Sequence, residues 1–351
     1  MSSHSSNVNV EKETRLGYKL RVVRDASFKR LFEVLETSHQ QSGKSKLSCF
    51  FGMLHCWRKF GAGYYDYMIF QMWDLTDAQR NTYLTRFRSK KLINQYNDVT
   101  YSHIFDNKDE FNATFRDYIG REFLDLANAS KEDVIKFYES RERVFCKMRA
   151  LGCGEGAELL QTADFADGEA FYQYLTDKGF ATLEDVIVNH PQLAEIYPHA
   201  VNTMRMVTLI GDDGKPHLLY AVLKTGMNGR IVDNFGVQGP INLETGIYEY
   251  PAHPGDTTDH KSFTHHPNTG VQLVGMKMPF FEESKEMVLK AAMVIPQIRY
   301  VGWDVATTPT GPAIIEGNNF TAHDFVQLPG QTPDKTGTMP QILEICPSFR
   351  Y

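Results

Sequence analysis

The chain has 351 residues, of which 42% are hydrophobic, 12% aromatic and 23% charged, enough for two or three domains and a substantial core. Its 37 Lys plus Arg against 43 Asp plus Glu leave a formal charge of −6, which excludes the basic footprint of a general nucleic-acid binder. No apolar run approaches the roughly 18 to 20 residues of a membrane-spanning helix, residues 1–9 lack the apolar centre of a secretory signal, and the five cysteines include no CxxC pair. Structural disulfides and a zinc cluster are therefore not expected, and reduced thiols in a cytoplasmic protein are.

Taken in chain order, residues 1–15 are polar and expected to fray. Helical signals follow over residues 16–101. Phe28, Leu31, Phe32 and Leu35 recur at three- and four-residue spacing and form one apolar helix face. A second helix is predicted from Asp74-Leu75-Thr76-Asp77, capped by Thr76 and running through Tyr83, Leu84 and Phe87. Between them, Trp57, Tyr64, Tyr65, Tyr67 and Trp73 surround Gly61-Ala62-Gly63. Aromatics this dense beside helices read as core rather than as a stacking platform.

Beyond about residue 105 the texture changes. Val144-Phe145-Cys146-Lys147-Met148 is a strand signal that runs into Leu151-Gly152-Cys153-Gly154-Glu155-Gly156. Residues 181–188 and 204–210 are further strand-like runs, and Asp212-Asp213-Gly214 supplies a hairpin turn before residues 218–223. Residues 226–270 are Gly-rich and read as loop. Pro279 and Pro296 bracket an amphipathic helix with Met287, Val288, Ala291, Val294 and Ile295 on its apolar side. Residues 299–306 and 313–318 flank Pro309-Thr310-Gly311 as a β-hairpin. With no internal repeat, strands and helices alternate behind a helical front, and the class is α/β or α+β.

The hairpin is the most informative stretch. Alternation along a strand puts Glu316 and Asn318 on one face, and the turn near Thr310 brings Asp304 almost opposite Glu316. Two facing carboxylates repel unless something compensates. A divalent cation does so, since Mg²⁺ takes one or two carboxylates plus phosphate oxygens, and an Asn carbonyl is a suitable third ligand. The competing reading has Asp304 near a strand end in solvent and Glu316 paired with an Arg. Lys147, followed by Gly152, Gly154 and Gly156, places a point charge before backbone that can turn its N–H groups toward an anion. That spacing matches neither a Walker A loop nor a dinucleotide fingerprint, and taken alone it is a turn after a strand.

In order, these elements resemble the ATP-grasp superfamily, and within it the sugar-transfer-associated branch. The residues that carry the resemblance are Phe105-Asp106-Asn107-Lys108 with Phe111; Val144-Phe145-Cys146-Lys147 with Gly152, Gly154 and Gly156; Ala200-Val201-Asn202-Thr203-Met204-Arg205; Val232-Asp233-Asn234-Phe235; His266-Pro267-Asn268-Thr269-Gly270; and Val301-Gly302-Trp303-Asp304 through Glu316-Gly317-Asn318. Phe60-Gly61-Ala62-Gly63 with Tyr64 to Tyr67 resembles that branch's helical leader.

The resemblance implies two α+β lobes enclosing ATP, behind a helical domain over residues 1–105. Residues 106–200 would form the nucleotide lobe and residues 201–351 the lobe with the metal and acceptor sites. It implies that Lys147 holds the α/β-phosphates, Gly152, Gly154 and Gly156 cover them, and Lys108 is a second phosphate contact. Glu184 and Ile187 would lie at the hinge by the adenine, Arg205 would face the γ-phosphate, and Asp304, Glu316 and Asn318 would bind Mg²⁺. Asn234 and His266 are the implied substrate contacts. Met148 stands where such strands often carry Pro, and Asn189-His190-Pro191 offers no acidic residue for a ribose.

Other patterns carry less. His253, His260, His265 and His266 have no common zinc-ligand spacing. Cys146 and Cys153 lack an adjacent His or Asp that would mark a nucleophile. The implied activity is an ATP- and Mg²⁺-dependent ligase joining a small-molecule carboxylate to an amine through an acyl-phosphate, in polysaccharide or natural-product biosynthesis. A kinase on the same scaffold, with His265, His266 or Asp233 as base, and a nucleotide-binding module without turnover are the alternatives. Neither nucleic acid nor membrane insertion is expected, and the sequence names no partner protein.

Overall fold

A computed structural model describes residues 28–149, 156–230, 233, 236–259 and 261–351. The predictions for residues 1–15, Gly152, Gly154 and Asn234 lie outside these. Two compact units divide between Asp74 and Leu75.

The first unit is helical. Helix Phe28–Ser42 takes up the spacing of Leu31 and Leu35, and helix Lys46–Phe60 starts where Ser45 accepts a hydrogen bond from the Ser48 N–H at 3.2 Å. It ends at Gly61, whose φ of 63° suits a glycine. Cys49, Met53, Cys56 and Phe60 form its buried stripe. Tyr67 and Trp73 are buried edge to face, with ring centroids 5.6 Å apart.

In the second unit Thr76 caps a helix as expected, but the helix stops at Asn81 and a new one runs Arg86–Tyr96. The break has a tertiary cause. The Gln327 side-chain amide bonds both the N–H and the C=O of Leu84, at 2.9 and 3.0 Å. Tyr83 and Leu84 are thereby held in the core.

Two antiparallel sheets follow. The smaller comprises β1 (Phe123–Asp125), β2 (Arg143–Lys147), β3 (Ala157–Gln161) and β4 (Thr182–Asp185), in the order β1-β4-β2-β3. Helices Lys131–Glu139 and Gly168–Lys178 cover one face through Val134, Phe137, Phe171 and Leu175, which meet Val144, Cys146 and Leu183. Alternation leaves Phe145, Lys147, Thr182 and Glu184 on the other face.

The larger sheet has β5 (Thr203–Ile210), β6 (Pro216–Thr225), β7 (Val237–Ile241), β8 (His253–Pro254), β9 (Tyr300–Thr308) and β10 (Gly311–Asn318), in the order β10-β9-β5-β6-β7-β8. One face packs on helix Phe281–Ala292 and on Phe105, Phe111 and Phe115, with Trp303 fully buried at its centre. The other face is apolar at one end, where Val207, Leu209, Tyr220, Val222 and Tyr300 meet helices Arg86–Tyr96 and Met339–Ile345. Its opposite end carries charge.

β7 and β8 lie inside the stretch read as loop. β7 escapes notice because Gly239 and Pro240 erase the apolar alternation, and Gly239 is there because a Cβ would come 2.2 Å from the Tyr248 hydroxyl. Among the described residues no helix is long and apolar enough to cross a membrane.

Candidate functional site

The charged end of the larger sheet is built by register. Glu316 on β10 is opposite Asp304 on β9, and Asp304 is opposite Arg205 on β5. Three adjacent strands thus present Glu316, Asp304 and Arg205 in one row. A bulge between Ile314 and Glu316 makes the facing pair possible despite the apolar run Ala313-Ile314-Ile315. Asn318 follows on the same face and lies 3.4 Å from Glu316 through its Nδ2.

Each carboxylate has a cation. Arg205 grips Asp304 with two parallel bonds, Nε to Oδ1 at 2.5 Å and a terminal guanidinium nitrogen to Oδ2 at 2.8 Å. Lys224 on β6 approaches Asp304 Oδ2 at 3.8 Å and Asp233 Oδ1 at 3.3 Å. Lys108 Nζ donates to Glu316 Oε2 at 3.0 Å. Burial opposes ionisation of Asp304, but the Arg205 and Lys224 charges outweigh it and bring the carboxyl down to about 2. Asp233 moves the other way. Burial and the Asp304 charge raise its pKa against the pull of Lys224 and of the Thr203 hydroxyl that bonds it.

The open face of the smaller sheet carries a second buried cluster. Lys147 Nζ donates to Glu184 Oε2 at 2.7 Å, and Arg121 Nε donates to the same oxygen at 2.7 Å. Asn112 Nδ2 and the Thr182 hydroxyl both donate to Oε1 at 2.9 Å. Glu184 is 1% exposed. Burial would raise its pKa, yet the Lys147 and Arg121 charges hold it well below the usual carboxylate range. Burial also pushes the Lys147 ammonium below its ordinary value.

The two clusters are joined. Arg121 donates to the Ile314 carbonyl on β10 at 2.9 Å while holding Glu184. Lys108, which holds Glu316, is fixed through its own N–H to the Arg149 carbonyl just beyond β2 at 3.2 Å.

Asp304 lies opposite Glu316 as the hairpin spacing predicts, while Arg205 and Lys108, which only the resemblance implied, meet these two carboxylates. The pairing differs in detail from the competing reading, since Asp304 is buried on the Arg and Glu316 bonds a Lys. Glu184 has its carboxylate fully engaged inside the smaller sheet, and Ile187 follows in the connector to helix Pro191–Ile196. The connector ends where His190 N–H bonds the Thr307 carbonyl at 2.7 Å. Gly156 adopts a φ of 69°, and its carbonyl accepts from Met148 at 2.9 Å. His266 is 1% exposed, with Nε2 2.9 Å from the Gly226 carbonyl and Nδ1 3.3 Å from the Thr269 hydroxyl, so both ring nitrogens are engaged within the fold.

Sequence reasoning missed Arg121, Asn112 and Lys224. Lys224 carried a signal, being a cation in phase with Tyr220 and Val222 directly after the apolar run Leu218 to Leu223. Arg121 carried none.

Among the described residues no three His, Cys, Asp or Glu side chains form a closed metal cage. Two adjacent carboxylates plus the Asn318 amide are the hard-oxygen donor types Mg²⁺ takes, with both Asp304 oxygens held by Arg205 and Glu316 Oε2 held by Lys108.

Residues 170–337 match the family described as sugar-transfer associated ATP-grasp. This match, over just under half of the chain, supports an ATP-grasp superfamily member of the sugar-transfer-associated branch, and the fold is α+β with a helical N-terminal region. No curated protein matches it significantly. Among solved structures it is similar to the ATP-grasp ligase PsnB complexed with minimal precursor, at 15% identity and a TM-score of 0.42, over 71% of this chain and 62% of that one. It is also similar to the ADP complex of N5-carboxyaminoimidazole ribonucleotide synthetase, at 10% identity and 0.43, over 70% and 52%. For the D-alanine-D-alanine ligase from Coxiella burnetii the values are 13% and 0.39, over 71% and 59%. The chain therefore spans less than two thirds of the length of each.

Proposed function

We propose that this protein is an ATP- and Mg²⁺-dependent ligase that joins a small-molecule carboxylate to an amine, acting in the cytoplasm where ATP is abundant. The observation that carries the reading is the joined set of charges: the row Glu316–Asp304–Arg205 with Lys108 on one sheet, tied through Arg121 to Lys147 on the other. Phosphoryl transfer asks little covalent chemistry of a protein and much positioning and charge neutralisation, and this set supplies both.

In this reading Lys147 and Lys108 hold the phosphates and Arg205 offsets charge that builds on the γ-phosphate. Asp304, Glu316 and Asn318 hold Mg²⁺, which when bound polarises phosphate oxygens and lessens their repulsion of an anionic nucleophile. A carboxylate oxygen attacks the γ-phosphorus as its bond to the ADP oxygen breaks. The amine nitrogen then attacks the acyl carbon, phosphate departs with the bond electrons, and the amine loses a proton. Gly156 is proposed at the edge of the phosphate loop, Ile187 beside the adenine, and residues 1–105 as a helical domain preceding nucleotide and acceptor lobes at 106–200 and 201–351. Biosynthesis of polysaccharides or natural products is the proposed setting.

A second reading, a kinase acting on a hydroxyl, is favoured by one observation: Asp233 has a raised pKa and sits between Thr203 and Lys224 beside Asp304, as a base for a hydroxyl would. Phosphorus NMR of the protein with MgATP and a dialysable metabolite pool separates the two. ADP and inorganic phosphate, formed only with both carboxylate and amine fractions present, is the expected outcome. A new phosphoester signal replaces it with the kinase. MgATP that binds without turnover leaves a nucleotide-binding module.

A further inference from the structure

The charged face continues across the larger sheet, away from β10. Lys224 is opposite Thr203 on β5 and Gln238 on β7, and Gln238 is opposite His253 on β8. Their neighbours Met204, Leu223, Val237 and Ala252 all point into the helix-side core. Alternation therefore puts Thr203, Lys224, Gln238 and His253 in one row on the face of Arg205 and Asp304. Directly opposite residues in such ladders lie about 4.5–5.5 Å apart at Cβ.

Gln238 is the anomaly. It is 4% exposed, and its Nε2 has no hydrogen-bond partner. Buried side-chain donors are nearly always paired, so an unpaired one in line with a buried ammonium calls for a ligand. The turn over His253 repeats the pattern. Gly330 lies so close that a Cβ would come 3.1 Å from the His253 ring. Gln331, the next residue, has its Oε1 held by the Leu328 N–H at 3.1 Å and its buried Nε2 unpartnered.

An amide nitrogen beside an ammonium offers only hydrogens, and the matching group is an oxygen that carries negative charge. We propose that this row receives a carboxylate of the acceptor at its Gln238–His253 end, with Gln238 Nε2 donating to one of its oxygens, because the Thr203 hydroxyl and the Lys224 ammonium already serve Asp233 and Asp304. The acceptor then approaches Asp304 from the β7 side, opposite the Lys108–Glu316 end. This rests on the ligase reading for the identity of the acceptor, but carboxylate binding by the row stands apart from turnover.

The test is a titration of the ¹⁵N-labelled full-length protein with acetate and then succinate, without nucleotide, following side-chain amide signals. The Gln238 signal is the one lost in Gln238→Met, which keeps the side-chain length and removes the donor. A saturable shift of that signal, absent with chloride at equal ionic strength, is expected. Carboxylate affinity should fall roughly tenfold in Gln238→Met while MgATP affinity is unchanged. Gln238→Glu, which sets a carboxylate against the ligand's own, should bind no carboxylate. A Gln238 signal indifferent to both acids, or a Met variant that binds them as tightly as the parent, overturns the proposal. If neither protein binds MgATP, the ligase reading falls while the carboxylate titration still decides this one.

Discussion

Asp304 and Arg205 are each more than nine-tenths buried, and neither tolerates the loss of the other. The bidentate fork offsets the desolvation of both charges only while both are present. Arg205→Met should therefore destabilise the fold by about 3–5 kcal/mol in denaturant unfolding. The double variant Arg205→Met with Asp304→Leu should recover most of that loss. The depressed Asp304 pKa also has a pH signature. Its folded value of about 2 lies below the unfolded value of about 3.9. Its contribution is thus complete above about pH 4 and is lost as pH falls toward 2. Acid titration of stability should be shallower over that window in Asp304→Asn than in the parent. Glu316 separates function from folding, because its side chain is 31% exposed. Glu316→Gln should abolish magnesium-dependent turnover with little change in melting temperature, and retained activity would remove it from the site.

At the level of elements, the turn before β1 matters out of proportion to its length. Gly120 has a φ of 58° and lies so close to β10 that a Cβ would come 2.8 Å from the Ala313 Cβ. That approach aims Arg121 along β10 to the Ile314 carbonyl and to Glu184. Gly120→Ala combines left-handed strain with a clash against the Ala313 Cβ and should lower stability by about 1–3 kcal/mol, read from the melting temperature. The carboxylate hairpin was legible as a hairpin from its strand runs and Pro-Thr-Gly turn, and Asp304 does meet Glu316 as expected. The regular register would pair Asp304 with Ile315, and the bulge between Ile314 and Glu316 supplies the offset. The helix predicted through Tyr83 and Leu84 was not continuous, because a glutamine 243 residues away outcompetes the local ladder for the Leu84 backbone.

Across the molecule from Leu75 on, the two sheets share one electrostatic unit. Glu184 belongs to the smaller sheet, yet its partner Arg121 is bonded to the larger one. Arg121→Met should cost about 3–5 kcal/mol by leaving Glu184 with Lys147 as its only cation. It should also speed amide hydrogen exchange in β2 and β4 ahead of β5 and β9, since the smaller sheet loses its tie to β10. Equal acceleration in both sheets would mean that the tie does not couple them.

The sequence by itself determined what local periodicity controls: the strands β2, β4, β5, β6, β9 and β10, the helix between Pro279 and Pro296, and the shared face of Glu316 and Asn318. Alternation and turn chemistry act over a few residues, so they can be read without a fold. Tertiary structure alone decided which charge meets which. Arg121 with Glu184, Lys108 with Glu316 and Lys224 with Asp233 and Asp304 are separated by 63, 208, 9 and 80 residues, and ion pairing depends on distance in space rather than along the chain. The unpaired amide of Gln238 was hidden for the same reason, since burial without a partner is a property of the neighbours and not of the residue.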